Sequence, residues 1–420
     1  VSKLEYKKIQ VRGENSELHL DGLRLSQWTG PEQISKYIYS KSGLLDRWAF
    51  FNSALKKALS QPEAKSQTQK FSVHYAMKAN SNLEVLKLWK SQGLGVDIVS
   101  GGELKQALKA GFTGFEIIFS GVGKSKEEIR MALSANIRQF NVESAPELER
   151  LAELAKERGP ERGAKASVVL RVNPDVDAKT HPYISTGFRE NKFGIGLPEL
   201  SHCLEVLKTS SSLKLVGLSC HIGSQLRDLS ALKEAWQKMR KLYEELQAQG
   251  FQLSILDLGG GLGIDYAQEA SSDLASIEQY SQLLKSEFGD LKTHFQFEPG
   301  RILVARSGVL LTEVQYIKET REKNFVICSS GMNHLMRPAL YQAEHRIFQM
   351  QLTSGGERAS STLAADVVGP ICESSDFLGK NRSFQNLKAG DWIAVADVGA
   401  YGASMMSSYN LFPLAEEILA

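Results

Sequence analysis

Cysteine is scarce in this 420-residue chain, and the four present (Cys203, Cys220, Cys328 and Cys372) lie far apart with no C-x-x-C pair. That spacing argues against a zinc site or a disulfide framework and fits a reducing cytoplasm. Long apolar runs are missing too, since no stretch approaches the roughly 20 residues that a membrane-spanning helix needs. The opening VSKLEYKKIQVRGENSELHL is charged throughout and has no apolar core of the signal-peptide kind. Neither sign of charge dominates, with 50 Lys and Arg against 48 Asp and Glu. Nothing global draws the chain to nucleic acid or anionic lipid, so any anion recognition must be local. There is no internal repeat, no low-complexity tract, and no glycine motif with the G-x-x-x-x-G-K-[ST] or G-x-G-x-x-G spacing of nucleotide loops.

What is present is apolar material, 42% of the residues, enough for a large core and a second domain. From about residue 70, short strand-like runs alternate with amphipathic segments, the pattern of βα units. Eight runs read as strands: FSVHYAMKA (71–79), GVDIVS (95–100), FEIIFSG (115–121), IRQFNVES (137–144), ASVVLRVN (166–173), LKLVGLSCHIG (213–223), LSILDLGGG (253–261) and THFQFEPG (293–300). Stretches such as 82–92, 144–158 and 232–249 carry apolar residues at i, i+3, i+4 and i+7, the period of a helix. Eight parallel strands with intervening helices predict a (β/α)8 barrel.

After residue 300 the rhythm changes to VLLTEVQYI, KNFVICSS, DVVGPICESSD and DWIAVADVGAY, strand runs without helical periods between them. The expected division is an N-terminal segment 1–45 that joins a β domain, a barrel over 46–305, and a C-terminal β-rich domain over 306–420. The polar tracts at 65–70 and 353–362 read as loops or an exposed hairpin.

Chemistry in such a barrel gathers where the loops after the strands surround one mouth. Lys78 closes the first run, where an apolar strand ends on an amine; desolvation there would lower its pKa and free it to attack an aldehyde. A lysine snorkelling from a strand end is the plain alternative. DLGGGLGIDY (257–266) offers bare backbone amides for a phosphate, or else a simple turn. FEPGR (297–301) sets Glu298 and Arg301 around a turn; a carboxylate facing a pyridine nitrogen keeps it protonated, although a surface ion pair has the same sequence. His221 could stack on a cofactor ring or be a core histidine, and Ser224 could donate to the phosphate.

Taken in order, YAMKAN, HIGSQ, LDLGGGLGI, FEPGR, GMNHLMRPALY, GPICESSDFL and DVGAYG, with RVNPDVDAKTHPYISTGFRENKFGI at 171–195, span nearly the whole chain. They resemble the diaminopimelate decarboxylase family of fold-type III pyridoxal-phosphate enzymes. The resemblance implies an alanine racemase-like barrel with a β-rich second domain, and decarboxylation of meso-diaminopimelate to L-lysine. It also implies that Lys78 carries pyridoxal 5'-phosphate as a Schiff base and that His221 lies against the ring. Ser224, Gly259, Gly260, Gly261, Glu298, Gly300 and Arg301 would surround the cofactor, with Glu298 at the pyridine nitrogen. Arg301, Arg337 and Tyr341 would hold substrate carboxylates, Glu373 would meet the distal ammonium, and Tyr401 would touch cofactor and substrate. Cys372 would protonate the carbanion, with Cys372 and Glu373 supplied by the neighbouring subunit of a homodimer. One departure is SSGMN (329–333), where the family carries an acidic residue in D-A-G-M-N. Rival readings are a same-fold decarboxylase acting on ornithine, arginine or carboxynorspermidine, an alanine-racemase-like activity, and a regulatory relative without activity.

Overall fold

The fold, given by a computed structural model, is described over residues 10–12, 17–30, 35–60, 71–157, 165–177, 187, 191–267, 270–350 and 362–420. The expected loop at 65–70, nearly all of that at 353–362, and much of the 171–195 stretch lie outside the described residues. The chain divides into two units, Ser53–Gly263 with Ser276–Gly300, and Val1–Asn52 with Ile264–Ala275 and Arg301–Ala420.

In the first unit all eight expected strands form, and they close into a parallel barrel in chain order. They are Phe71–Ala76, Gly95–Ile98, Ile117–Phe119, Gln139–Val142, Ala166–Arg171, Leu213–Ser219, Ile255–Asp257 and His294–Phe297. The last pairs with the first, Phe295 beside Phe71, and this closes the ring. Strands covered on both faces bury every residue, as Gly95–Ile98, Ile117–Phe119 and Gln139–Val142 do. Most strands stop short of their sequence runs because the polar and glycine residues at their ends leave the ladder. Lys78 consequently sits on a single 3-10 turn, Met77–Ala79, just past the first strand.

The helices start where side chains satisfy free backbone N–H groups. Asn82 accepts from Glu84 and Val85 before Leu83–Ser91, and Ser125 with Glu128 forms a capping box before Lys126–Ser134. Ser230–Ala248 buries Leu232, Ala235, Trp236, Met239, Tyr243 and Leu246 on one stripe. Trp236 meets the rings of Tyr280 at 5.2 Å and Phe288 at 5.6 Å. Burying each large apolar side chain of this kind contributes roughly 1.5–3 kcal/mol.

The second unit is built on the long strand Gly308–Glu319. Its first half pairs antiparallel with Lys36–Tyr39 and Trp392–Ala396, and its second half with Asn324–Cys328. Lys36–Tyr39 also takes Glu416–Leu419 as a parallel neighbour, so strands from both ends of the chain share this sheet. Leu18, Leu20, Leu25, Ile38, Val309, Leu311, Met350 and Ala394 form its core. Two features differ from the sequence reading. Two helices, Arg301–Val304 and Arg337–Tyr341, occur at four and five residues, too short to show a 3.6-residue period. The strand Thr362–Val368 takes in only the first three residues of the DVVGPICESSD run; the rest turns away after Gly369, where Pro370 can donate nothing to a ladder.

Candidate active site

Within the barrel, the expected cofactor residues other than Arg301 and Tyr401 lie at or just past the C-terminal strand ends; those two belong to the second unit. Lys78 Nζ lies 3.4 Å from Asp97 Oδ2, whose side chain is fully buried. The Lys78 side chain keeps 38% of its exposure. Its setting is therefore not the plain apolar one expected, because a buried carboxylate pairs with the amine. The Pro299 carbonyl accepts from Ala76 N–H (3.0 Å), which ties the Glu298–Gly300 turn to the Lys78 turn.

The glycine run is tightly enclosed. A Cβ on Gly259 would stand 2.3 Å from the Cys220 carbonyl, one on Gly260 2.1 Å from that of Glu298, and one on Gly261 2.3 Å from that of Gly223. Gly259 and Gly261 also have φ of +65° and +102°, which favours glycine. Gly260 N–H donates to His221 Nδ1 (3.3 Å), so the neutral ring carries its proton on Nε2. Burial, with the charges of Arg171 and Lys78, holds the His221 pKa well below the usual imidazole range. Arg171 is itself fixed by Glu143 at 2.9 Å and donates to the His221 carbonyl. Ser224 lies half-buried on the loop after the sixth strand.

Three carboxyl groups gather here. Asp257 is fully buried and accepts from Gly259 N–H (2.9 Å). Burial pushes its pKa up to about 6, with Asp97 adding to the rise. Glu298 accepts from Asn141 Nδ2 (3.0 Å). Burial raises its pKa well above the ordinary range, and the charges of Asp257 and Asp97 add to this. A carboxyl poised to keep or share a proton suits a pyridine nitrogen, and an amine beside it suits an aldehyde; the glycine turn does not offer the bare amides expected, since the Gly259 and Gly260 N–H groups donate to Asp257 and His221. The residues present therefore fit pyridoxal 5'-phosphate.

In the second unit, Arg301, Arg337 and Tyr401 surround Tyr266. Arg301 Nη1 donates to the Tyr266 hydroxyl (2.7 Å), and its guanidinium lies 4.7 Å from the Tyr401 ring centre. Arg337 stacks 4.4 Å from the Tyr266 ring centre and donates from Nη1 to His345 Nε2 (2.7 Å). His345 Nδ1 then donates to the Ala396 carbonyl (2.9 Å), so both ring nitrogens are used in one neutral tautomer. Burial and the Arg337 charge hold the His345 pKa well below its usual value. Arg337 is 5% exposed, and its Nε finds no hydrogen-bond partner among the described residues. Burial pulls its pKa down. Tyr341 ends the same short helix, half-buried. This set can grip an anion by charge and planar donors.

Cys372 and Glu373 are both exposed and are held by different contacts. Cys372 N–H donates to Asn410 Oδ1 (3.2 Å), and the Tyr409 hydroxyl donates to Glu373 Oε1 (2.7 Å). Asp376 accepts from Met332 and Ile371 N–H, both at 2.6 Å, and so ties this turn to the GMN segment. At the departure from the family pattern, Ser330 Oγ donates to Ser35 Oγ (2.6 Å) and meets His334 Nδ1 at 3.2 Å, while Ser329 Oγ lies 3.0 Å from Thr312 Oγ1. Hydroxyls there satisfy one another.

Sequence reasoning missed Asp97, Asn141, Asp257, Tyr266 and His345. Asp97 and Asp257 carried a faint signal, an acid inside an apolar strand run (GVDIVS and SILDL). The others carried none.

Residues 55–305 match the family model described as pyridoxal-dependent decarboxylase, pyridoxal binding domain. Diaminopimelate decarboxylase of Neisseria meningitidis serogroup B is 45% identical over 383 residues, covering 91% of this chain and 87% of that one. The enzyme of the same name from Aquifex aeolicus is 40% identical, covering 96% and 91%. The crystal structure of Helicobacter pylori diaminopimelate decarboxylase complexed with L-lysine superposes with a TM-score of 0.83 at 40% identity, covering 94% of this chain and 93% of that one.

Proposed function

The chain belongs to the diaminopimelate decarboxylase family, and on that premise we propose how its residues divide the work of turning meso-2,6-diaminopimelate into L-lysine and carbon dioxide, the last step of lysine biosynthesis. The cofactor is pyridoxal 5'-phosphate, which when bound supplies an aldehyde for amines and a conjugated ring that accepts the electron pair left as carbon dioxide departs. The observation that carries the reading is the barrel end itself, where one lysine, three carboxyl groups and a glycine cradle meet at four strand ends.

Lys78 Nζ would anchor the cofactor and take part in proton movement, with Asp97 orienting it. Glu298 would hold a proton for the pyridine nitrogen. Gly259, Gly260 and Gly261, with Ser224 and Gly300, would hold the phosphate end of the cofactor, and neutral His221 would serve the ring. Arg301, Arg337 and Tyr341 bind substrate carboxylates. Arg337 in particular is a buried cation with an unused donor, which a second carboxylate would satisfy and lysine or ornithine would not. Tyr401 would contact both cofactor and substrate. Glu373 receives the distal ammonium, and Cys372 delivers its Sγ proton to the α-carbon once carbon dioxide has left.

We further propose a cytoplasmic homodimer in which Cys372 and Glu373 serve the neighbouring subunit's site. Their exposure on their own chain supports this, as does Leu411, 92% exposed beside Asn410. All four cysteines are free thiols, as a reducing compartment requires. No helix among the described residues is long and apolar enough to cross a membrane. Mixing inactive Lys78→Ala and Cys372→Ala subunits tests the sharing, because one intact site re-forms in a mixed dimer. Recovered turnover is expected; a mixture as inactive as its parts would contradict the shared site.

A further inference from the structure

The strands Gln139–Val142 and His294–Phe297 are fourth and eighth in a ring of eight, so they face each other across the barrel. Two rungs of side chains bridge that interior. In one, Gln139 Nε2 donates to Gln296 Oε1 at 2.9 Å. In the other, two residues nearer the C-terminal end, Asn141 Nδ2 donates to Glu298 Oε1 at 3.0 Å and to Ser120 Oγ at 3.1 Å. A third bond joins the rungs, from Gln139 Nε2 to Asn141 Oδ1 at 2.9 Å.

Gln139, Asn141 and Gln296 are no more than 1% exposed. Barrel interiors are ordinarily filled by branched aliphatic side chains, and burying amides costs desolvation that their hydrogen bonds only offset. Stability alone does not call for them. The bond from Gln139 decides what Asn141 can do: with its carbonyl oxygen already taken, the amide cannot flip, and it presents N–H to Glu298.

We propose that Asn141, oriented by Gln139, is a positioning residue that occupies Glu298 Oε1 and leaves Oε2 as the oxygen that meets the cofactor's pyridine nitrogen. This rests on the assignment of Glu298 given above. A neutral donor suits the place. Asp97 and Asp257 face Glu298 with negative charge and Lys78 and Arg171 with positive charge, while the Asp257 carboxyl also hydrogen-bonds it, so a further carboxylate would hold its proton more tightly and a further cation would loosen it.

The test uses full-length holoenzyme and two readings besides turnover, the cofactor dissociation constant and the pH midpoint of the bound cofactor's visible absorbance. Asn141→Leu keeps the size and removes the donor. It should bind the cofactor about tenfold more weakly and move the midpoint by about half a pH unit or more. Gln139→Met never touches Glu298; it should change both readings in the same direction by less, and it remains readable if the Asn141 variant fails to fold. A purely structural role would lower the unfolding temperature and leave the midpoint where it was. The proposal is overturned if both variants match the wild type in both readings. Should Glu298→Gln also match, the assignment of Glu298 fails; should Glu298→Gln shift both readings while Asn141→Leu shifts neither, the positioning role alone fails.

Discussion

At the C-terminal end of the barrel three carboxyl groups, Asp97, Asp257 and Glu298, are gathered around one lysine, whereas the β-rich unit buries Arg301 and Arg337 among tyrosines and a neutral histidine. Elsewhere in that second unit arginines pair directly with buried carboxylates. Arg47 and Arg306 share Asp273 at 3.3 and 2.8 Å, and Arg306 and Arg346 share Asp397 at 3.2 and 2.9 Å. Direct ion pairs like these hold a fold together, while a cluster of one sign suits a ligand of the other. An excess of acid raises proton affinity and suits a basic ring nitrogen. An excess of guanidinium suits an anion, and here the substrate has two carboxylates.

The sharpest way to break the contrast is to remove the unmatched cation. Arg337→Ala should lower kcat/KM for meso-diaminopimelate by about 100-fold or more, the loss expected when a buried charge pair is broken, with the cofactor retained and its absorbance unchanged. Steady-state kinetics beside a cofactor titration checks this, and an unchanged kcat/KM would move the anion-reading role elsewhere. On the barrel side, Gly260→Ala forces a methyl against the Glu298 carbonyl, which stands 2.1 Å from the Cβ position. Cofactor affinity should fall about tenfold as the backbone shifts. Gly123→Ala, where a Cβ meets nothing within 4 Å, is the control and should bind normally.

The smallest effect concerns pH. The folded pKa of Asp257, about 6, is raised above its ordinary 3.8. Its contribution to stability is therefore fully present below pH about 4 and is lost as pH rises through about 6. Asp257→Asn should match wild-type apoenzyme in thermal stability at the acid end and exceed it by a few degrees at pH about 8. Parallel melting curves across that range would contradict the burial of an acid-prone carboxyl.

How much of this was legible in the sequence follows from the range of each signal. Barrel strands announce themselves locally as short β-rich runs between helical periods, and all eight were found. Lys78, the glycine run and Glu298 stood out because a change of residue type coincides with a strand end. Asn141 and Gln139 did not, since a polar residue within a strand reads equally as facing in or out, and only ring closure puts them opposite Gln296 and Glu298. Tyr266 and His345 were invisible for a related reason: their rings meet at 5.1 Å across 79 residues of chain (345 − 266), and neither segment hints at the other. The serines at 329 and 330 marked a departure from the family without a meaning. Their hydroxyl cluster with Ser35, Thr312 and His334 appears only in the folded sheet, where Ser35 at the start of the strand Lys36–Tyr39 meets them.

The most direct test of the whole account is to incubate the purified full chain with pyridoxal 5'-phosphate, supply meso-diaminopimelate, and measure carbon dioxide and L-lysine, while a parallel sample is reduced with borohydride and mapped. Equal amounts of the two products, with the reduced cofactor on the peptide carrying Lys78, are expected. Absence of L-lysine, or a label on any other lysine, would contradict it.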